Sequence, residues 1–159
     1  MTIPVHSHCL KMATRDDGTP WWTAFPEPKS QPEYIVAEEV AKLIEEEDEK
    51  GRTFLLVDVR RTDCTGGSVA SSINLPAHSF FPTRKTVHEL CTRAGIKNVI
   101  FYCGQSNGRG PRCAAWMKDY VEEAGGDLQS LVLTGGIKGW VKRYGGRMMD
   151  GYEEAVWER

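Results

Sequence analysis

The residues with the clearest chemical potential are Cys103 and Arg109, six positions apart within Val99–Arg112, VIFYCGQSNGRGPR. A thiolate is a strong nucleophile, and a guanidinium is a planar fork of N–H donors that matches an oxyanion. Between them stand Gly104, Gln105, Ser106, Asn107 and Gly108, small or polar residues whose backbone N–H groups can line a ring. The apolar run Val99–Tyr102 predicts a buried strand ahead of the cysteine, and Gly110-Pro111 fits the N-cap and first position of a following helix. The thiol and the ring then sit at a helix N-terminus, where amides and helix dipole attract anions and favour the thiolate. The same N–H groups would stabilise charge building on oxygens in a transition state. Gly104 and Gly108 are expected to let the backbone take a tight path around the anion.

Spacing alone is a weak signal. Cys9 and Arg15 repeat it, yet that pair has no strand before it, no glycines between and no helix start behind. Only Cys103 and Arg109 have a strand–turn–helix context. The bland alternative is a small buried cysteine at a strand end beside a surface arginine.

The chain has 159 residues, 40% hydrophobic and 26% charged, with a formal net charge of −2. These values describe an ordinary globular protein with one domain and a tail, and make no case for nucleic acid or an anionic membrane as partner. No apolar run approaches the roughly 20 residues that cross a bilayer. The start, MTIPVHSHCLKM, lacks the apolar stretch of a secretory signal. Five cysteines without a CxxC argue against a zinc or thioredoxin-type site and for a reducing compartment, so the cytoplasm is expected, with the nucleus as a second location. His6, His8, His78 and His88 lack ligand spacing, so no metal is expected.

The remaining elements must position the loop. Residues 1–33 carry five prolines and read as an extended tail, whose Trp21, Trp22 and Phe25 either pack on the body or form a docking patch for a partner. Residues 34–159 form the body. Val36, Val40, Leu43 and Ile44 recur at helical spacing, with an acidic end stopped by Gly51. Phe54–Val59 is a strand for a sheet covered on both faces. Gly66-Gly67 is a turn, Ile73–Leu75 a short strand, and Thr83–Ala94 a helix. A helix from Gly110 to Ala124, a strand over Leu131–Leu133 and a helix over Ile137–Tyr144 follow. Strands alternating with helices give an α/β fold with a central parallel sheet, whose sites lie beyond the C-terminal strand ends.

Three stretches in order resemble a known superfamily. Val57-Asp58-Val59-Arg60, with Asp63, Gly67, Val69 and Ile73-Asn74-Leu75-Pro76, resembles the first rhodanese signature. Leu133-Thr134-Gly135-Gly136-Ile137-Lys138-Gly139-Trp140 resembles the C-terminal one, and Cys103 stands between them where that family keeps its nucleophile. The resemblance spans residues 34–144 and implies a rhodanese-like fold, a central parallel sheet flanked by helices on both faces. Rhodanese sulfurtransferases have a six-residue loop suited to a sulfane sulfur. The seven residues from Cys103 to Arg109 are instead similar to the loop of the M-phase inducer phosphatases and eukaryotic arsenate reductases. That resemblance implies Cys103 as nucleophile, Arg109 as oxyanion clamp, and the backbone of Gly104, Gln105, Ser106, Asn107 and Gly108 as cradle for phosphate, arsenate or a sulfate-like oxyanion.

The first expectation is a cysteine-dependent phosphatase working through a phosphocysteine without a cofactor, with a phosphoprotein as candidate substrate. The alternatives are an arsenate reductase using glutathione or glutaredoxin as co-substrate, a thiosulfate sulfurtransferase, and a non-catalytic rhodanese-like binding module. There are departures from the pattern. Tyr102 stands where many cysteine phosphatases have histidine, and Val59 where the cell-cycle enzymes carry a second cysteine. Cys64 and Cys113 are either substitute disulfide partners or ordinary residues. Asp58 and Arg60 read as a structural pair. Ser106 either aids release of a phosphocysteine or is simply a small loop residue. Arg112 adds to the local positive field, and with Arg60, Arg61 and Arg109 makes either a basic rim or a scattered surface set. No general acid stands out, since Asp119, Glu122 and Glu123 are expected to face water.

Overall fold

A computed structural model describes residues 15–158. Cys9, His6 and His8 lie outside the described residues. Five parallel strands form the sheet: β1 (Glu33–Ile35), β2 (Phe54–Asp58), β4 (Ile73–Asn74), β5 (Asn98–Tyr102) and β6 (Gln129–Leu133), in spatial order β1-β6-β5-β2-β4. The two-residue strands β3 (Ser68–Val69) and β7 (Met149–Asp150) pair antiparallel beside it. β1, β3 and β7 carry no legible periodicity, because three or two residues are too few for one.

Period-two alternation sorts the central strands between two layers. Val57 and Val59, with Val99 and Phe101, point to α3 (Ala77–Arg93) and α4 (Arg109–Ala124) and pack with Phe80, Trp116 and Met117. Leu56, Ile100 and Tyr102 point the other way, to α1 (Ala37–Glu45) and α5 (Gly136–Tyr144), meeting Val40, Ile137 and Trp140. Two short helices complete the set, α2 (Glu47–Lys50) and α6 (Glu154–Trp157). Gly51, with φ +74, takes the turn after α2.

Two helix starts differ from expectation. α3 begins at Ala77 rather than Thr83, with Pro82 inside it. Proline removes one helical donor, but the hydroxyl of Thr83 donates to the Phe80 carbonyl and the Arg84 Nε to that of Phe81, supplying donors around the break. α4 begins at Arg109 with Gly108 as N-cap, so Pro111 falls third in the first turn. Its missing N–H costs nothing there, because the first amides of a helix have no intrahelical acceptor.

Residues 20–33 run across α4. Trp21 is buried against His78 and Trp116, and Phe25 stacks on Phe81. Asp119, expected in water, accepts the backbone N–H groups of Lys29 and Ser30, each at 2.8 Å. Glu122 accepts from the Ser30 hydroxyl, and Trp116 Nε1 donates to the Pro26 carbonyl at 2.8 Å.

Candidate active site

β5 is buried from Val99 to Tyr102, and its ladder with β2 ends at the pair Asp58–Tyr102, so Cys103 is the first residue beyond the sheet edge. By alternation its side chain turns to the α4 face. There Cys103 Sγ accepts the N–H of Gly110 at 3.4 Å, an amide of the first turn of α4. Among Cys103, Arg109 and the five residues between them, Gln105, Asn107 and Gly108 are exposed and Gly104 and Arg109 half-buried.

The strained conformation of the loop does not fall on a glycine. Neither Gly104 nor Gly108 has a positive φ, whereas Ser106 does, at +56. A side chain in that region is held there by its surroundings. Ser106 is buried, and its hydroxyl has no hydrogen-bond partner. A Cβ built on Gly110 would stand 3.5 Å from both Ser106 Oγ and Cys103 N, which places the hydroxyl against the first turn of α4.

The carbonyls at the start of the loop are tied from the other side. The N–H of Ile137 donates to the Cys103 carbonyl and that of Lys138 to the Gly104 carbonyl, both at 3.0 Å. The first turn of α5 thereby spends its free amides on the loop and holds these peptides in one orientation. The close approach needs Gly136: a Cβ there would stand 2.5 Å from the Cys103 carbonyl oxygen and 2.6 Å from that of Gly104.

Arg109 is engaged end-on. Its Nη1 and Nη2 donate to Asp63 Oδ1 and Oδ2 at 2.8 and 2.6 Å. Partial burial pushes the Asp63 carboxyl up, but the Arg109 guanidinium and the Arg61 N–H outweigh it and hold the group at about 2. The pairing in turn raises the Arg109 guanidinium further. Asp63 rides on a loop organised by the buried pair Asp58–Arg60. Arg60 gives Asp58 a bidentate contact (Nη2–Oδ2 2.7 Å) and donates to the carbonyls of Asp63, Thr65 and Gly67. The expected structural role of this pair therefore extends to placing the partner of Arg109. Trp157 closes the same loop, its Nε1 donating to the Gly66 carbonyl at 2.8 Å.

Of the basic residues, Arg60 is buried on Asp58, Arg109 pairs with Asp63, and Arg112 pairs with Glu27 at 3.0 Å with its guanidinium over the Trp22 ring, so they form a scattered set. The hydroxyl of Tyr102 lies on the α5 face, opposite the thiol, donating to Ser72 Oγ and accepting the Val69 N–H. Burial pushes its pKa up, so it stays a neutral phenol. Cys64 and Cys113 are free thiols, both pushed up by burial, and Cys64 Sγ contacts Asp58 Oδ2 at 3.6 Å. Sequence reasoning missed the attachment of Asp63 to Arg109; nothing in the spacing of residues 46 positions apart signals it.

The sequence matches the rhodanese-like domain family over residues 36–143. It is 27% identical over 116 residues to arsenical-resistance protein 2 of Saccharomyces cerevisiae, covering 67% of this chain and 86% of that protein. A solved yeast protein tyrosine phosphatase of the rhodanese family superposes with a TM-score of 0.65 at 26% identity, over 80% of this chain and 98% of the other. The As-Sb reductase from Leishmania major gives a TM-score of 0.67 at 24% identity, over 74% and 84%, a likeness of fold.

Proposed function

The chain belongs to the rhodanese-like domain family, and on that premise we propose that it is a cysteine-dependent phosphatase acting on phosphomonoesters through Cys103. One observation carries this reading: Cys103 Sγ sits at the N-terminus of α4, taking the Gly110 N–H at 3.4 Å, at the mouth of the seven-residue loop. A negative sulfur is stabilised at that position by the amide and by the dipole of a helix running to Ala124.

In the reaction the Cys103 thiolate attacks phosphorus and the ester P–O bond breaks. The leaving oxygen departs with its electron pair and takes a proton from water. Water then attacks the phosphocysteine, the S–P bond breaks, and the thiolate returns with release of phosphate and a proton. The N–H groups of residues 104–109 receive the equatorial oxygens. Arg109, held end-on by Asp63, keeps its Nε–H edge for the same oxygens, because the pairing uses only Nη1 and Nη2. The unpartnered Ser106 hydroxyl is a donor for the sulfur as it leaves phosphorus.

A second reading, reduction of arsenate, is favoured by the kinship with a yeast arsenical-resistance protein. There Cys103 displaces hydroxide from arsenate. An external thiol, glutathione or glutaredoxin, forms a disulfide with Cys103 as arsenic takes up two electrons and leaves as arsenite. A second thiol then frees Cys103.

The test is a side-by-side assay of the wild type and Cys103→Ser for phosphatase, arsenate reductase and thiosulfate sulfurtransferase activity. The expected result is phosphate release that disappears in the variant. Equal behaviour of the two proteins in all three assays overturns the reading, and loss confined to arsenate reduction replaces it with the second.

A further inference from the structure

Next to the loop, opening from Gly104, lies a cleft of about 590 Å³. Ile137 and Val141 of α5 and Val156 and Trp157 of α6 give it an apolar part, and Asp63 and Thr65 a polar one. Three cations line it: Arg60 and, one turn apart on α5, Lys138 and Lys142. The Lys138 stem lies over the start of the loop, its Cε 3.9 Å from where a Cβ of Gly104 would stand.

What separates these lysines from the other charges on the cleft is that they are uncommitted. Arg60 is spent on Asp58, and Asp63 on Arg109. Neither Lys138 nor Lys142 enters an ion pair among the described residues. Glu154 opens α6 and Glu153 and Glu158 flank it, but none of the three lines the cleft. A slot with an apolar part and two free ammonium groups, adjoining the Cys103 loop, matches a particular kind of molecule.

We propose that the cleft receives the body of the phosphomonoester, and that Lys138 and Lys142 pair with a second anionic group on that apolar body. The enzyme thereby selects acidic phosphomonoesters. The inference rests on the phosphatase reading and adds the substrate class. A dianionic phosphate in the loop repels a further anion close by, so without the lysines a second negative charge is a penalty. An exposed charge pair is worth a few-fold in binding, so two give a preference of about tenfold, weakening with salt.

The experiment uses matched substrates whose leaving phenols differ only in one remote charge. One pair is 3-(4-phosphonooxyphenyl)propanoate and its amide. The other is a phosphotyrosyl peptide with glutamate or glutamine beside the phosphotyrosine. The full chain is expected to prefer the charged member about tenfold in kcat/KM, mainly through KM. The Lys138→Met/Lys142→Met variant brings the ratio to about one, and Lys142→Glu pushes it lower still. A preference confined to one pair identifies the source of the acid group as small molecule or polypeptide. A ratio near one in the wild type, with the neutral members turned over, overturns this proposal and leaves the phosphatase reading standing. No turnover of any of the four, with Cys103-dependent arsenate reduction intact, overturns both.

Discussion

Gly136 lies against Cys103 so closely that a single methyl group on it would stand 2.5 Å from the Cys103 carbonyl oxygen. Its backbone is also left-handed, at φ +60. The Cys103 peptide is therefore seated on the helix that follows β6, not only on the helix that follows the loop. Gly136→Ala meets backbone atoms that cannot swing aside. It is expected to cost about 2–3 kcal/mol in a denaturant titration. Modification of Cys103 by a thiol reagent should change rate in the same variant, as the loop shifts.

Asp63 fixes the guanidinium of Arg109, so Asp63→Asn is expected to lower kcat/KM about tenfold on the proposed substrates, with Asp63→Glu recovering part of it. The pair also has a pH signature. The carboxyl is held at about 2 in the folded protein, against about 3.9 in an unfolded chain. A depressed folded value stabilises fully above the unfolded one and is lost as the pH falls through the folded one. The stability difference between wild type and Asp63→Asn should be about 1 kcal/mol at pH 7, given the exposure of the carboxylate, and shrink from pH 4 towards 2.

Arg60→Met leaves the fully buried Asp58 carboxylate without its cation and strips donors from three carbonyls of the 60–67 loop. Breaking a buried pair in this way should cost about 3–5 kcal/mol of unfolding free energy. Any folded fraction, recovered at low temperature, should show loosened Asp63–Arg109 pairing as a raised KM.

Asp119→Ala removes the acceptor of two backbone amides of the segment crossing α4. Partial burial pushes that carboxyl up, yet the Ser30 and Lys29 donors bring it below its ordinary value. The substitution should cost about 1–2 kcal/mol and, read by limited proteolysis, open cleavage near Lys29 ahead of global unfolding.

Much of the architecture was legible in residue order. Phe54–Val59 and Val99–Tyr102 announced themselves as buried strands because both faces are covered, and Cys103 fell where the second one ends. The rhodanese signatures placed the sheet and the loop together. What could not be read was whatever long-range contact decides. Arg112 looked like part of an anion field until Glu27 and Trp22 claimed it from the opposite side. Asp119 looked solvated because the proline-rich stretch that covers it has no periodicity of its own. The left-handed residue of the loop is Ser106, not a neighbouring glycine, since closure of the ring and not intrinsic preference sets its φ.

The seating of α5 on the loop also imposes an order in time. Synthesis delivers Cys103 and Arg109 well before Ile137 and Lys138, whose amides fix the first two carbonyls. Trp157, which pins the loop bearing Asp63, arrives later still. A nascent chain released as far as α4 carries Cys103 and Arg109 but not the amides that hold the Cys103 and Gly104 carbonyls. The loop between those two residues therefore takes its final seating only once α5 has emerged and folded back on it.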